Sequence, residues 1–309
     1  MENAIPVKPE KKEKRKILYR VNEKGEYVLN WKGALLAIPM YFLYTFVIPL
    51  ATQAIMLGVY MAGNPDATRE QAYEYLSSQG IALNVITYVV SALMLFAVYG
   101  RFLWGSLKEL FGNMTLGRGM KFLWVPLASI GGTYMLNIIA VIITNAIVGG
   151  TDSVNQEMVT DYVFQMPWAM IFLTVIMAPL VEEPIFRGAF FRPMWFKSKA
   201  LAIIVTLVLF ALHHVWSAAL SADTLQAGLE ELVYMITYIP AGVATVFGYC
   251  MFRNIYGAML SHMAINGFSV TMMLLLQLLT EAVSQSGAST EAVTQSVGLI
   301  TRLAAEIVM

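Results

Sequence analysis

Charge is what this sequence has least of: Asp, Glu, Lys and Arg make up 13% of its 309 residues, against about 25% in an average soluble protein. That shortage excludes a globule with an ordinary solvated surface, and the 58% of hydrophobic residues points to lipid as the solvent. Cysteine is nearly absent as well. Cys250 stands alone, so no intrachain disulfide can form and a secreted cross-linked module is excluded. Nucleotide-binding loops, internal repeats and basic patches interleaved with aromatics are also missing, and no nucleic-acid partner is expected. Residues 1–32 are too rich in charge, with Lys11 to Arg20 carrying several basic residues before Trp31, to read as a secretory signal peptide.

What is present is a series of long uncharged runs, at 33–65, 75–100, 122–151, 162–181, 200–222, 232–252 and 254–280. Each is long enough to cross a hydrocarbon core as helix, which takes about 20 residues. The alternation that a membrane β-barrel needs does not occur in runs such as Ile138-Ile139-Ala140-Val141-Ile142-Ile143, so the spans read as helices. The expected fold is an all-α, multi-pass membrane protein with about seven transmembrane helices, located in the cell membrane. Pro39 and Pro49 should tilt or kink the first. Thr68 with Gln71 has the form of a capping box for a short surface helix.

The basic residues are distributed unevenly. Nine of the twenty Lys and Arg fall in 1–32, four in 101–121, four in 187–199, and Arg253 follows the sixth run. The alternate loops carry Arg69 as their sole basic residue, among acids such as Asp66, Asp152 and Glu230. The positive-inside rule then predicts a cytoplasmic N-terminus and an external C-terminus, which an odd number of crossings requires. Three regions follow: a basic cytoplasmic tail at 1–32, read as attracted to anionic lipid rather than as a specific docking site; a membrane core at 33–280; and a tail at 281–309, polar and then amphipathic through Val293, Val297, Ile300, Ala304 and Ile307.

Polar groups at membrane depth are costly and call for a partner or a task. Three clusters qualify. In Glu182-Glu183-Pro184-Ile185-Phe186-Arg187, Glu183 and Arg187 are four apart and can pair, while Glu182 points about 100° away with no partner in the motif. In Phe210-Ala211-Leu212-His213-His214, Phe210 and His214 share a face and His213 points elsewhere, as a bystander. In His262-Met263-Ala264-Ile265-Asn266, the histidine and the amide share a face. Counting from the nearest basic residue at about 1.5 Å per residue places Glu182 roughly 15 Å deep, His262 roughly 14 Å and His214 roughly 22 Å, so the three can meet in one cavity. A carboxylate, two imidazoles and an amide there suit hydrolysis of an amide bond, one group activating water and another stabilising the oxyanion. Glu182, His214 and His262 are also the His₂Glu set that a catalytic zinc takes, although the soluble His-Glu-x-x-His helix is absent. Structural readings stand beside these: Glu183 with Arg187 as a plain ion pair, Asn266 as a tie between helices.

Glu182-Glu183-x-x-x-Arg187, Phe210-x-x-x-His214 and His262-x-x-x-Asn266, in that order and within about 165–270, resemble the CAAX prenyl protease and bacteriocin-processing (CPBP, or Abi) family of intramembrane proteases. The resemblance implies an intramembrane endopeptidase acting on membrane peptides or lipidated proteins, with its site open toward the cytoplasmic side. Glu182 and His214 would hold and activate the water. His262 and Asn266 would bind the oxyanion or help hold a metal such as zinc, and Glu183 with Arg187 would orient the glutamate. Metal-dependent and metal-free mechanisms both remain open at this point. So does a non-catalytic scaffold or immunity protein of the same fold. A transporter is disfavoured by the lack of inverted repeats or matched broken helices.

Overall fold

The computed structural model describes residues 14–112, 114–149 and 153–285. The amphipathic stripe from Val293 to Ile307 and the first thirteen residues lie outside them. In chain order the helices are α1 Trp31–Gly63, α2 Arg69–Ser78, α3 Gly80–Gly112, α4 Leu116–Val148, α5 Val154–Gln165, α6 Pro167–Trp195, α7 Lys199–Ser221, α8 Leu225–Phe252 and α9 Ile255–Gln285. All but α2 and α5 are long and apolar enough to cross a membrane, seven among the described residues, so the chain is a multi-pass membrane protein.

The spans outrun the uncharged stretches at their basic ends. α3 continues through Arg101, Lys108 and Glu109, and α4 opens with Arg118 and Lys121 already inside it. Several of these charges find partners instead of ending the helix. Arg118 pairs with Glu109 at 3.0 Å, and Lys121 Nζ donates to the Met251 carbonyl at 2.6 Å. Thr68 and Gln71 form the expected reciprocal cap on α2, and Ser153 with Gln156 caps α5 in the same way. The helix α5 itself is an addition to the sequence reading.

A second addition precedes α1. Part of the basic segment folds as a three-stranded antiparallel sheet, β1 Lys14–Arg15, β2 Tyr19–Val21 and β3 Tyr27–Leu29, with Tyr19 opposite Leu29 and Val21 opposite Tyr27. Val28 and Leu29 are buried against the helices, which gives the short strands the apolar face that an isolated hairpin lacks. Asn30 joins sheet to bundle. Its side-chain oxygen caps α1 by accepting from Lys32 N and Gly33 N, and its amide donates to the carbonyls of Lys16 and Ile17.

Two spans contain three wide π turns, at Leu43–Val47 in α1 and at Ile171–Met177 and Pro184–Phe191 in α6. Prolines account for their placement: Pro49, Pro179 and Pro193 follow the three turns, and each removes a backbone donor and crowds the carbonyl four residues back, at Thr45, Val175 and Ala189 inside a turn. Centrality differs sharply along the chain. In the most apolar window of α6, 67% of residues are buried, and in α8, 61%, against 11% in α1. α8 packs on α4, α7 and α9. It meets α9 where Gly248 faces Gly257; a Cβ on Gly248 would stand 2.4 Å from the Gly257 carbonyl oxygen, so only glycine allows this crossing.

Candidate active site

The central helix α6 carries Glu182 and Glu183 on a short regular stretch, Ala178–Glu183, between its two wide turns. Both carboxylates are buried, and they face different company. Glu183 Oε2 lies 3.3 Å from Arg187 Nε, and Glu183 Oε1 lies 2.8 Å from His262 Nδ1 on α9. The contact with Arg187 is close but not aligned as a hydrogen bond. Arg187 Nη2 donates to the Gly242 carbonyl at 3.1 Å and to Thr245 Oγ1, and its guanidinium lies 4.3 Å from the centre of the Phe210 ring. The expected pair is present, and Glu183 bridges it to His262.

Glu182 has no ionic partner. Its Oε1 accepts from Tyr88 on α3 at 3.2 Å and from Tyr44 on α1 at 3.4 Å, and its Oε2 is buried with no hydrogen-bond partner. Tyr44 also lies 3.4 Å from His213 Nε2, and Tyr41 Oη lies 3.1 Å from His213 Nδ1. One assignment makes every contact a hydrogen bond while Glu182 is ionised: Tyr41 O–H donates to Nδ1, Nε2–H donates to Tyr44, and Tyr44 O–H donates to Glu182. His213 thus faces inward with Glu182 and His214, contrary to the bystander expectation. The helix α7 stands beside a cleft, so adjacent residues about 100° apart both reach it.

His214 is held as its spacing predicts. The Phe210 ring centre is 4.8 Å from its own, and Nδ1 lies 2.8 Å from the Phe210 carbonyl oxygen. On the far side Tyr238 of α8 stacks on it at 4.5 Å, with the two rings 18° from parallel, and Tyr238 Oη accepts from Asn155 of α5 at 2.8 Å. Asn266 is fully buried and donates to the Thr174 carbonyl at 2.8 Å, tying α9 to the first wide turn of α6.

Glu182, His213 and His214 line a cavity of about 110 Å³, together with Tyr88, Thr174 and Asn155. Its remaining wall comes from α5 and the first turns of α3 and α6, the ends of the bundle remote from the sheet. The cavity therefore faces away from the basic, sheet-bearing side. This differs from the cytoplasmic opening implied by the resemblance if that side is the cytoplasmic one. At the sheet side Glu26 takes Arg192 at 2.6 Å across the end of α6.

Both imidazoles have Nδ1 engaged, His214 with a backbone carbonyl and His262 with a carboxylate, so each Nε2 is left to act; that of His262 is buried without a partner. Zinc-ligating histidines are oriented in this way. Yet no group of three or more His, Cys, Asp or Glu among the described residues is placed to hold a metal ion, so Glu182, His214 and His262 as they stand do not fit a three-ligand site.

Sequence reasoning missed Tyr41, Tyr44 and Tyr88. Their only signal was a phenol within an uncharged run, which is common in membrane spans.

Comparison with known proteins bears on the same segment. Residues 164–268, the segment that holds all three motifs, match the model of the family described as type II CAAX prenyl endopeptidase Rce1-like. No curated protein and no solved structure matches the chain.

Proposed function

We propose that this chain is an endopeptidase that hydrolyses peptide bonds of membrane peptides or lipidated proteins with a water activated by Glu182 and His214. The observation that carries the reading is the asymmetry of Glu182. One oxygen is fixed by two phenols, and the other is buried, unpartnered and beside a cavity shared with His214. Water bound there would give a proton to Glu182 as its oxygen attacks the carbonyl carbon. The tetrahedral oxyanion would be met by His262, whose Nδ1 is engaged by Glu183 and whose Nε2 has no partner. Glu182 would then return the proton to the departing amine as the C–N bond breaks. Asn266 would supply a further donor, and Arg187 positions Glu183.

A cavity of about 110 Å³ holds a few waters, each taking about 30 Å³, but no extended peptide. Substrate entry on this reading requires α5 to separate from α8, breaking the Asn155–Tyr238 and Val154–Glu231 hydrogen bonds. The defining experiment is cleavage of a membrane-bound peptide by purified protein in liposomes, with and without a strong chelator. Undiminished turnover under chelation supports the metal-free route. Loss of turnover that zinc restores would require the three ligands to close together. Reporter fusions after Lys16 and after Gln285 should report opposite sides, the former cytoplasmic. The reverse assignment would put the cavity mouth on the cytoplasmic side.

A further inference from the structure

A second cavity, of about 650 Å³, lies at the opposite end of the molecule, between the sheet, the end of α6, the start of α7 and the α8–α9 corner. Its size is that of a ligand site. Five basic side chains line it, Arg20, Lys24, Arg192, Lys199 and Arg253, against two acids, Glu23 and Glu26. Glu26 is already committed. Its Oε2 takes Arg192 at 2.6 Å, which leaves Arg253 no closer than 3.9 Å to Oε1. Lys199 and Arg253, both exposed, thus offer positive charge at the cavity.

Arg253 supplies an independent sign. It caps α8 at φ 52°, the one non-glycine residue with positive φ among the described residues. Glycine or asparagine suits that left-handed position, so an arginine is retained there against local preference. Its side chain is 65% exposed and makes no close ion pair that would account for it.

The cavity also has an apolar neighbour. A crevice of about 820 Å³ shares Arg20 and Phe196 with it and runs past Trp31 and Leu35, which are 66% and 55% exposed on the bilayer-facing side of α1. A charged chamber continuous with an apolar groove on a membrane helix has the shape of a phosphodiester headgroup with acyl chains.

We propose that this pocket binds an anionic phospholipid of the sheet-side leaflet, with its phosphate between Lys199 and Arg253 and its chains along α1. The pocket thus turns a general attraction of the basic segment to anionic lipid into a defined site, and it is separate from the Glu182 cavity.

The test is the amount of phosphatidylglycerol retained by the full-length protein after detergent exchange, measured by mass spectrometry beside phosphatidylcholine. The comparison is with the Lys199→Gln/Arg253→Gly double variant. Both side chains are exposed, and glycine suits the backbone at 253, so the variant should fold with unchanged thermal stability. Affinity for phosphatidylglycerol should drop about thirtyfold, each basic side chain near anionic lipid being worth about fivefold, while phosphatidylcholine retention stays the same. Equal phosphatidylglycerol retention by wild type and double variant would overturn the proposal. So would displacement of the lipid by millimolar inorganic phosphate, which would mark a site for soluble anions.

Discussion

Glu182 and Glu183 are neighbours in sequence and opposites in environment. Around Glu183 the wall is ionic and closed: Arg187, His262, Gly242 and Thr245 form one buried network from α6, α8 and α9, the interior of the bundle. Around Glu182 the wall is phenolic and open: Tyr44 and Tyr88 come from α1 and α3, His213 from α7, and one carboxylate oxygen is left over beside a cavity. A charge matched by an arginine holds structure together, whereas one held only by neutral donors keeps its reactivity. The family resemblance assigns both glutamates to a single motif, yet Glu183 is tied to Arg187 and His262 while Glu182 meets phenols beside the cavity.

The comparison breaks most readily at Arg187. Arg187→Ala leaves Glu183 with His262 alone in a buried site, and such an unmatched charge costs about 3–5 kcal/mol. The variant should insert poorly or unfold early, as thermal unfolding in detergent would show; wild-type stability would mean that the network is not structural.

Asn266→Ala sharpens the boundary between the two walls. As an oxyanion donor, Asn266 should be worth about 10² to 10³ in rate. As a tie to Thr174 alone, its loss should lower stability and leave the rate per folded molecule unchanged. Measuring both quantities on one preparation separates the two, and the account expects the rate to fall.

The smallest expected effect lies on the phenolic wall. Tyr88→Phe and Tyr44→Phe each remove one hydrogen bond to Glu182, worth about 0.5–1.5 kcal/mol. Rates should fall about two- to tenfold with the fold intact. A complete loss in either would make the phenol itself part of the chemistry.

The sequence disclosed the ionic wall better than the phenolic one, for a physical reason. Glu183 with Arg187 and Phe210 with His214 are local pairs four residues apart, and helical spacing alone brings them together. The face shared by His262 and Asn266 was legible too, but not its partners, since Glu183 and Thr174 lie 79 and 92 residues away. Tyr44 reaches Glu182 across 138 residues from a helix with few buried residues, and nothing in its own neighbourhood announces that. The wide turns at 171–177 and 184–191 add to the difficulty, because a face counted at 100° per residue drifts through them. The sheet at 14–29 was hidden for another reason. Its strands are two or three residues long, and their basic residues read as a tail attracted to anionic lipid.

The central claim is that Glu182 serves the chemistry and not the fold, and the Glu182→Gln variant tests it in one preparation. The amide has the shape of the carboxylic acid and can still accept from Tyr44 and Tyr88, so the unfolding midpoint should stay at the wild-type value. Cleavage of the membrane-bound peptide should be almost abolished, because an amide cannot take the proton from water. A variant that cleaves at the wild-type rate would contradict the account and favour a scaffold that keeps the pocket without using it.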